Sequence, residues 1–103
     1  MIARIWHGFT PASKADAYDS IVATTGIHDL RKTEGNRGAW TFRRIEGDVA
    51  HFIVLSMWDG MDSIKRFAGP EPEKAYYYPE DDEFLIDRVQ NVEHYEVVTE
   101  ERG

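Results

Sequence analysis

Arg4, Trp6 and His94 are the residues whose types and placement could do chemistry together. They stand in strand-like segments at opposite ends of the chain, about Ile2 to Phe9 and Gln90 to Val98, rich in β-branched and aromatic residues. If the two pair antiparallel with Ile5 opposite Tyr95, Trp6 meets His94 and Arg4 meets Glu96 on one face of a sheet. On such a face an imidazole that titrates near neutrality can take a proton, a guanidinium can steady an oxyanion, and an indole can wall an apolar pocket. The same residues also read structurally, as an Arg4–Glu96 ion pair beside a hydrogen-bonded core histidine, because ion-pair networks perturb titrating groups without any catalysis.

Around this group, Phe67, Trp58 and Tyr77 are candidate walls of a cavity beneath a helix, or core packing. Tyr76, Tyr77 and Tyr78 are consecutive, so on a helical turn they would point in three directions. The remaining histidines are scattered: His51 falls near a hairpin turn, His7 on the face opposite Trp6, and His28 after the first helix. With no HxH or HxxxH spacing, no metal site is expected. No glycine pattern of the dinucleotide or triphosphate type is present, and no cofactor is expected. The chain has no cysteine, which removes disulfides, thiolate metal sites and cysteine nucleophiles.

These residues need a scaffold, and the clearest part of it is Arg37 to Trp58. Two strand-like runs flank Gly47-Asp48, a turn that would set Ile45 opposite Ala50, Arg44 opposite His51, Phe42 opposite Ile53 and Trp40 opposite Leu55. Both faces of this hairpin are apolar, so both need covering. A first helix is predicted from Pro11 to Thr25, capped by Thr10 and stopped by Gly26, followed by a loop over 27–38. A second helix follows Trp58, capped by Asp59 and ended by Gly69-Pro70, and Pro72 restarts a short helical turn through Tyr76 or Tyr77. The stretch PEDDEFL reads equally as a turn of helix or a loop.

The order strand, helix, strand, strand, helix, strand is the ferredoxin-like split βαβ arrangement, an α+β class with a four-stranded antiparallel sheet. Right-handed crossovers place the first and third strands in the centre, the fourth beside the first and the second beside the third. Two helices cover one sheet face only. Burying even ~400 Å² of apolar surface is worth roughly 10 kcal/mol before entropy costs, so the other face predicts a homodimer packed sheet to sheet.

A chain of 103 residues with 42% hydrophobic and 13% aromatic residues fits one domain, spanning 1–103. The formal charge of -7 is unevenly placed: residues 71–103 carry three Lys/Arg against eleven Asp/Glu. Such a surface repels nucleic acid and anionic lipid, and Arg43-Arg44 alone supplies no phosphate-binding patch. MIARIWHGFT lacks a signal peptide's apolar stretch and no run has transmembrane length, so a cytoplasmic location is expected.

Five pieces, IWHGFTPASKADAY, TGI, GNRGAWTFRR, AHFIVLSMWDGMDSIKRFAG and VEHYEVV, together resemble the antibiotic-biosynthesis monooxygenase (ABM) family of dimeric α+β barrel proteins. The resemblance implies that fold, a homodimer, and an apolar cavity between sheet and helices. It implies no single reaction, since the superfamily holds cofactor-independent quinone-forming monooxygenases, haem-degrading enzymes and members with no known reaction. The haem-degrading branch relies on an asparagine, a tryptophan and a histidine where this chain holds Arg4, Phe67 and Tyr76 or Tyr77. The resemblance therefore points to a cofactor-independent monooxygenase acting on a small aromatic or polyketide-like molecule. The alternative is a non-enzymatic dimeric barrel that binds a small metabolite or serves as a stress or regulatory module.

Overall fold

The computed structural model describes all residues, 1–103. One antiparallel sheet organises the chain: β1 (Ile2–Pro11), β2 (Asn36–Glu46), β3 (Val49–Trp58), β4 (Asp87–Arg88) and β5 (Glu93–Glu96). Its order is β2-β3-β1, with β4 and β5 both on the free edge of β1, so the split βαβ topology is as expected. The predicted fourth strand, Gln90 to Val98, is shortened to β5, and the two-residue β4 before it is an addition, giving five strands rather than four. Four helices, α1 (Ala15–Thr24), α2 (Gly26–Lys32), α3 (Met61–Ala68) and α4 (Asp81–Phe84), complete the fold, and none is long and apolar enough to cross a membrane.

The β2–β3 hairpin has the expected register, with Ile45 opposite Ala50, Phe42 opposite Ile53 and Trp40 opposite Leu55. Gly47 turns it at φ 59°, a left-handed conformation that glycine adopts without steric cost. On the helix-covered face, Phe52 packs with Ala15, Tyr18, Val22 and Ala50, and a second cluster joins Trp58, Leu30 and Ile64. The opposite face holds Ile5, Phe42, Ile53 and Leu55, with Trp40 46% and Phe42 48% exposed. The single chain therefore leaves a broad apolar sheet face uncovered, as the hairpin's composition predicts.

Several local expectations give way to tertiary pairing. Thr10 and Pro11 pair with Ala50 and Val49 at the end of β1, and the Ala12 N–H bonds Asp48 O at 2.7 Å, so Thr10 is not the cap. The helical stretch starts one residue later than expected, as a 3-10 turn over Ala12–Lys14 capped by Pro11 that leads into α1. The proline φ of -58° suits an extended chain as readily as a first helical turn, and the ψ of 141° set by pairing with β3 makes Pro11 extended. Gly26 does not end the first helix in a left-handed turn; it opens α2. The break falls at Thr25, whose Oγ1 donates to Ile21 O at 2.7 Å. Part of the expected 27–38 loop is thus helical, because Ile27 and Leu30 reach the Trp58 cluster. Asp59 is not the cap of α3; that position is Gly60, braced by the Ser63 hydroxyl, while Asp59 forms a two-pronged ion pair with Arg37 at 2.5 and 3.1 Å.

The chain after α3 also differs from expectation. Residues 75–78 form no helix, and the chain just before them is tied to the C-terminal segment by Ala75 N–H to Gln90 O and Val92 N–H to Glu73 O. Backbone 90–92 pairs with 73–75 instead of β1, so the last strand begins at Glu93 rather than Gln90. PEDDEFL resolves as the short helix α4 over its centre.

Candidate functional site

β5 meets β1 two residues away from the expected register: Arg4 opposes His94, Ile5 opposes Glu93 and Ile2 opposes Glu96. A slip of two keeps every side chain on its face. Arg4 and His94 therefore still meet, but the expected Arg4–Glu96 pair does not exist and Trp6 is not opposite His94. The expected register had no turn to fix it, and the departure of 90–92 sets the real one.

Arg4 is 5% exposed and fastens the post-α3 segment to the sheet. Its Nη1 donates to Pro72 O and, at 3.2 Å, to His94 Nε2; its Nη2 donates to Lys74 O at 3.3 Å. The guanidinium lies 5.7 Å from the Phe67 ring centroid. No carboxylate reaches it, and burial lowers its pKa to about 10. Since arginine only donates, His94 Nε2 is the acceptor and the ring proton sits on Nδ1. Burial first and the Arg4 charge second hold the His94 imidazole below its ordinary range, with Glu73 opposing.

That shift sets a pH prediction. A histidine whose folded pKa is depressed binds more protons unfolded than folded, so its contribution is complete above about pH 6.5 and is lost as pH falls through the folded value. Thermal unfolding at about pH 7.5 and about pH 5.5 should show a loss on acidification that is smaller in His94→Gln. Equal losses in both proteins would contradict the assigned environment.

Arg4 opens onto a cleft between sheet and helices, walled by Trp6, Val54, Phe67, Tyr76, Tyr78 and Val92. Its volume is about 70 Å³, less than half the about 150 Å³ void that admits benzene in an engineered core, so a ring enters only as the walls yield. Trp6 lies flat along its own strand because Gly8 has no side chain: a Cβ there would stand 2.0 Å from the indole. The Trp6 N–H donates to the Tyr77 hydroxyl at 3.2 Å, and that hydroxyl donates to Val89 O. The Tyr76 and Tyr78 rings pack on each other while Tyr77 packs against Trp6 and under Arg88, whose guanidinium lies 4.8 Å from its ring centroid, so Tyr77 supports Trp6 without lining the cleft. Trp58 is wholly buried behind Phe67, with ring centroids 6.2 Å apart.

One functional candidate escaped the sequence. Asp81 is 5% exposed on the cleft wall, accepting the Tyr18 hydroxyl at 2.9 Å and the Tyr78 N–H at 2.8 Å. Its signal was an acid two residues after Pro79, where a helix start favours a carboxylate. Burial, then the Asp81 charge and hydrogen bond, drive the Tyr18 phenol far above its ordinary pKa; burial and Asp29 do the same to Tyr78.

The donor set does not suit a haem iron. His94 Nε2 already accepts from Arg4, while the phenols of Tyr18, Tyr77 and Tyr78 each donate to a protein oxygen. The cleft is also far smaller than a porphyrin. No three His, Asp or Glu side chains converge as a metal cluster.

No protein-family model matches the chain, and neither does any curated protein. Solved structures do. MhuD, a heme-degrader from Mycobacterium tuberculosis with two hemes bound in its active site, superposes with a TM-score of 0.68 at 15% identity, over 99% of this chain and 100% of that one. A point variant of MhuD with two manganese protoporphyrin IX molecules per active site gives 0.69 at 17% identity over 100% of both chains. A candidate antibiotic biosynthesis monooxygenase from Bacillus cereus gives 0.62 at 14% identity, covering 99% and 97%. At such low identities the likeness is one of architecture, and the chain has the α+β fold that these proteins share, the fold its resemblance to the ABM family implies.

Proposed function

We propose that this chain is an ABM-like, cofactor-independent monooxygenase of a small phenolic or polyketide-like aromatic, working as a homodimer. The observation that carries the reading is the buried Arg4 on the wall of an aromatic cleft, hydrogen-bonded to a half-buried His94 behind it and with no carboxylate partner. Neutral His94 takes the proton of a bound phenol or activated C–H once an Arg4 N–H turns from Nε2 to the new anion. The electron-rich carbanion then reacts with dioxygen. One oxygen atom becomes the quinone carbonyl and the other leaves as water, with the electrons drawn from the substrate's own C–H and O–H bonds.

Trp6, held by Tyr77, and Phe67, backed by Trp58, keep the ring in an apolar, water-poor slot. The uncovered sheet face supports the homodimer, and the cysteine-free composition suits the cytoplasm. The two MhuD structures hold heme or a metalloporphyrin, and the likeness of architecture supports a flat aromatic ligand for this chain.

An oxygen electrode with a panel of small phenols and anthrones tests the reading. Uptake with equimolar quinone is expected, and His94→Ala should lower kcat/KM by roughly 10²- to 10⁴-fold. Turnover unchanged in that variant would remove His94 as the base. The small cleft volume favours a second reading, a non-enzymatic barrel that binds a small metabolite. That reading predicts ligand-induced thermal stabilisation with no oxygen uptake.

A further inference from the structure

Arg4 is a buried cation without a counter-charge. Every other arginine in an ion pair is on the surface, whereas the Arg4 guanidinium is 5% exposed and its oxygen partners are two backbone carbonyls. Its remaining side-chain partner is a neutral imidazole. Removing a full charge from water without an opposite charge is costly, and such groups are normally paired. The Nε–H makes no hydrogen bond within the protein, and Arg4 lines the cleft.

The Nε side of the guanidinium has a defined shape. Nε and Nη2 of a guanidinium present parallel N–H bonds that match a carboxylate, and Arg37 grips Asp59 in this way through Nε and Nη2. On Arg4 the other nitrogen, Nη1, is spent on Pro72 O and His94. Nη2 gives one of its two N–H bonds to Lys74 O and the Nε–H is unengaged, and Arg4 lines an aromatic-walled cleft that Asp81, with an acceptor role on each oxygen, lines as well. We infer that the ligand is a small aromatic monocarboxylate, its carboxylate received by Arg4 through the Nε edge and its ring held against Trp6 and Phe67.

A carboxylate is favoured over an ordinary phenol because it is ionised before binding, so the buried charge is balanced in the resting complex. Asp81 repels a second anion, which selects monoacids over diacids. The inference rests on the oxygenase reading only for the site's location, since binding needs no chemical step.

Calorimetric titration with benzoate, its neutral isostere benzamide, terephthalate and the ionised phenol 4-nitrophenolate tests it. Benzoate should bind at least tenfold more tightly than the other three. In Arg4→Met the benzoate preference over benzamide should fall to about one, and Arg4→Lys should keep part of it. Equal binding of benzoate and benzamide by the unaltered protein, or binding of neither at millimolar concentration, overturns the proposal without any variant having to fold. Preference for 4-nitrophenolate or terephthalate over benzoate overturns the monocarboxylate assignment. Benzoate binding through Arg4 with no oxygen uptake from any phenol leaves this inference standing and removes the oxygenase; oxidation of neutral phenols with no carboxylate preference does the reverse.

Discussion

A Phe42→Glu chain should sediment as a monomer at concentrations where the unaltered protein sediments as a dimer. Phe42 is 48% exposed on the sheet face that no helix covers, between Trp40 and the β3 residues Ile53 and Leu55. Sheet-to-sheet packing about a two-fold axis would place the new carboxylate in a desolvated interface once per copy. An unpaired buried charge costs several kcal/mol, which corresponds to a dissociation constant raised roughly a thousandfold or more. The isolated chain loses little from the change, because the residue is half in water already, so circular dichroism should be preserved. Lys65→Glu on the exposed side of α3 is the matching control and should leave the dimer intact. A parent protein that is monomeric at micromolar concentration would remove the sheet-to-sheet proposal.

The second large effect is on stability. Trp58 is 0% exposed, donates its indole N–H to Ser56 Oγ at 2.9 Å, and packs with Leu30, Ile64 and Phe67. Trp58→Ala opens a cavity where β3, α2 and α3 converge and strands the Ser56 hydroxyl. Truncations of this kind cost about 3 to 5 kcal/mol, a large share of the roughly 5 to 15 kcal/mol that holds a domain together. Urea unfolding should show a fall in midpoint at nearly constant slope. A loss under about 1 kcal/mol would mean that this cluster is not the second half of the core.

The parts of the fold legible in the sequence were those with local punctuation. Gly47-Asp48 fixed the hairpin, so every pairing from Ile45 to Trp40 followed by counting. No such turn joins β1 to β5, and the register there slipped by two, although the even slip still brought Arg4 and His94 together. The tyrosine segment was misjudged because Pro72 fits a helix start, while the bonds from Ala75 to Gln90 and from Val92 to Glu73 are long-range pairings with no local sign. Asp81 was hidden for the same reason, since its burial depends on Tyr18 arriving from α1 across the chain.

Gly8 has a consequence of a different kind. The glycine touches no ligand and offers no functional group, yet the absence of its side chain is what lets the Trp6 indole lie where it does. Part of the cleft's outline is therefore written as an empty position rather than as a contact. Substitution at Gly8 would rotate the indole and reshape the slot while leaving every lining residue in place, so relatives with identical linings could still differ in what they accept. Comparing cleft residues one by one would miss that difference; reading the strand in steps of two would reveal it.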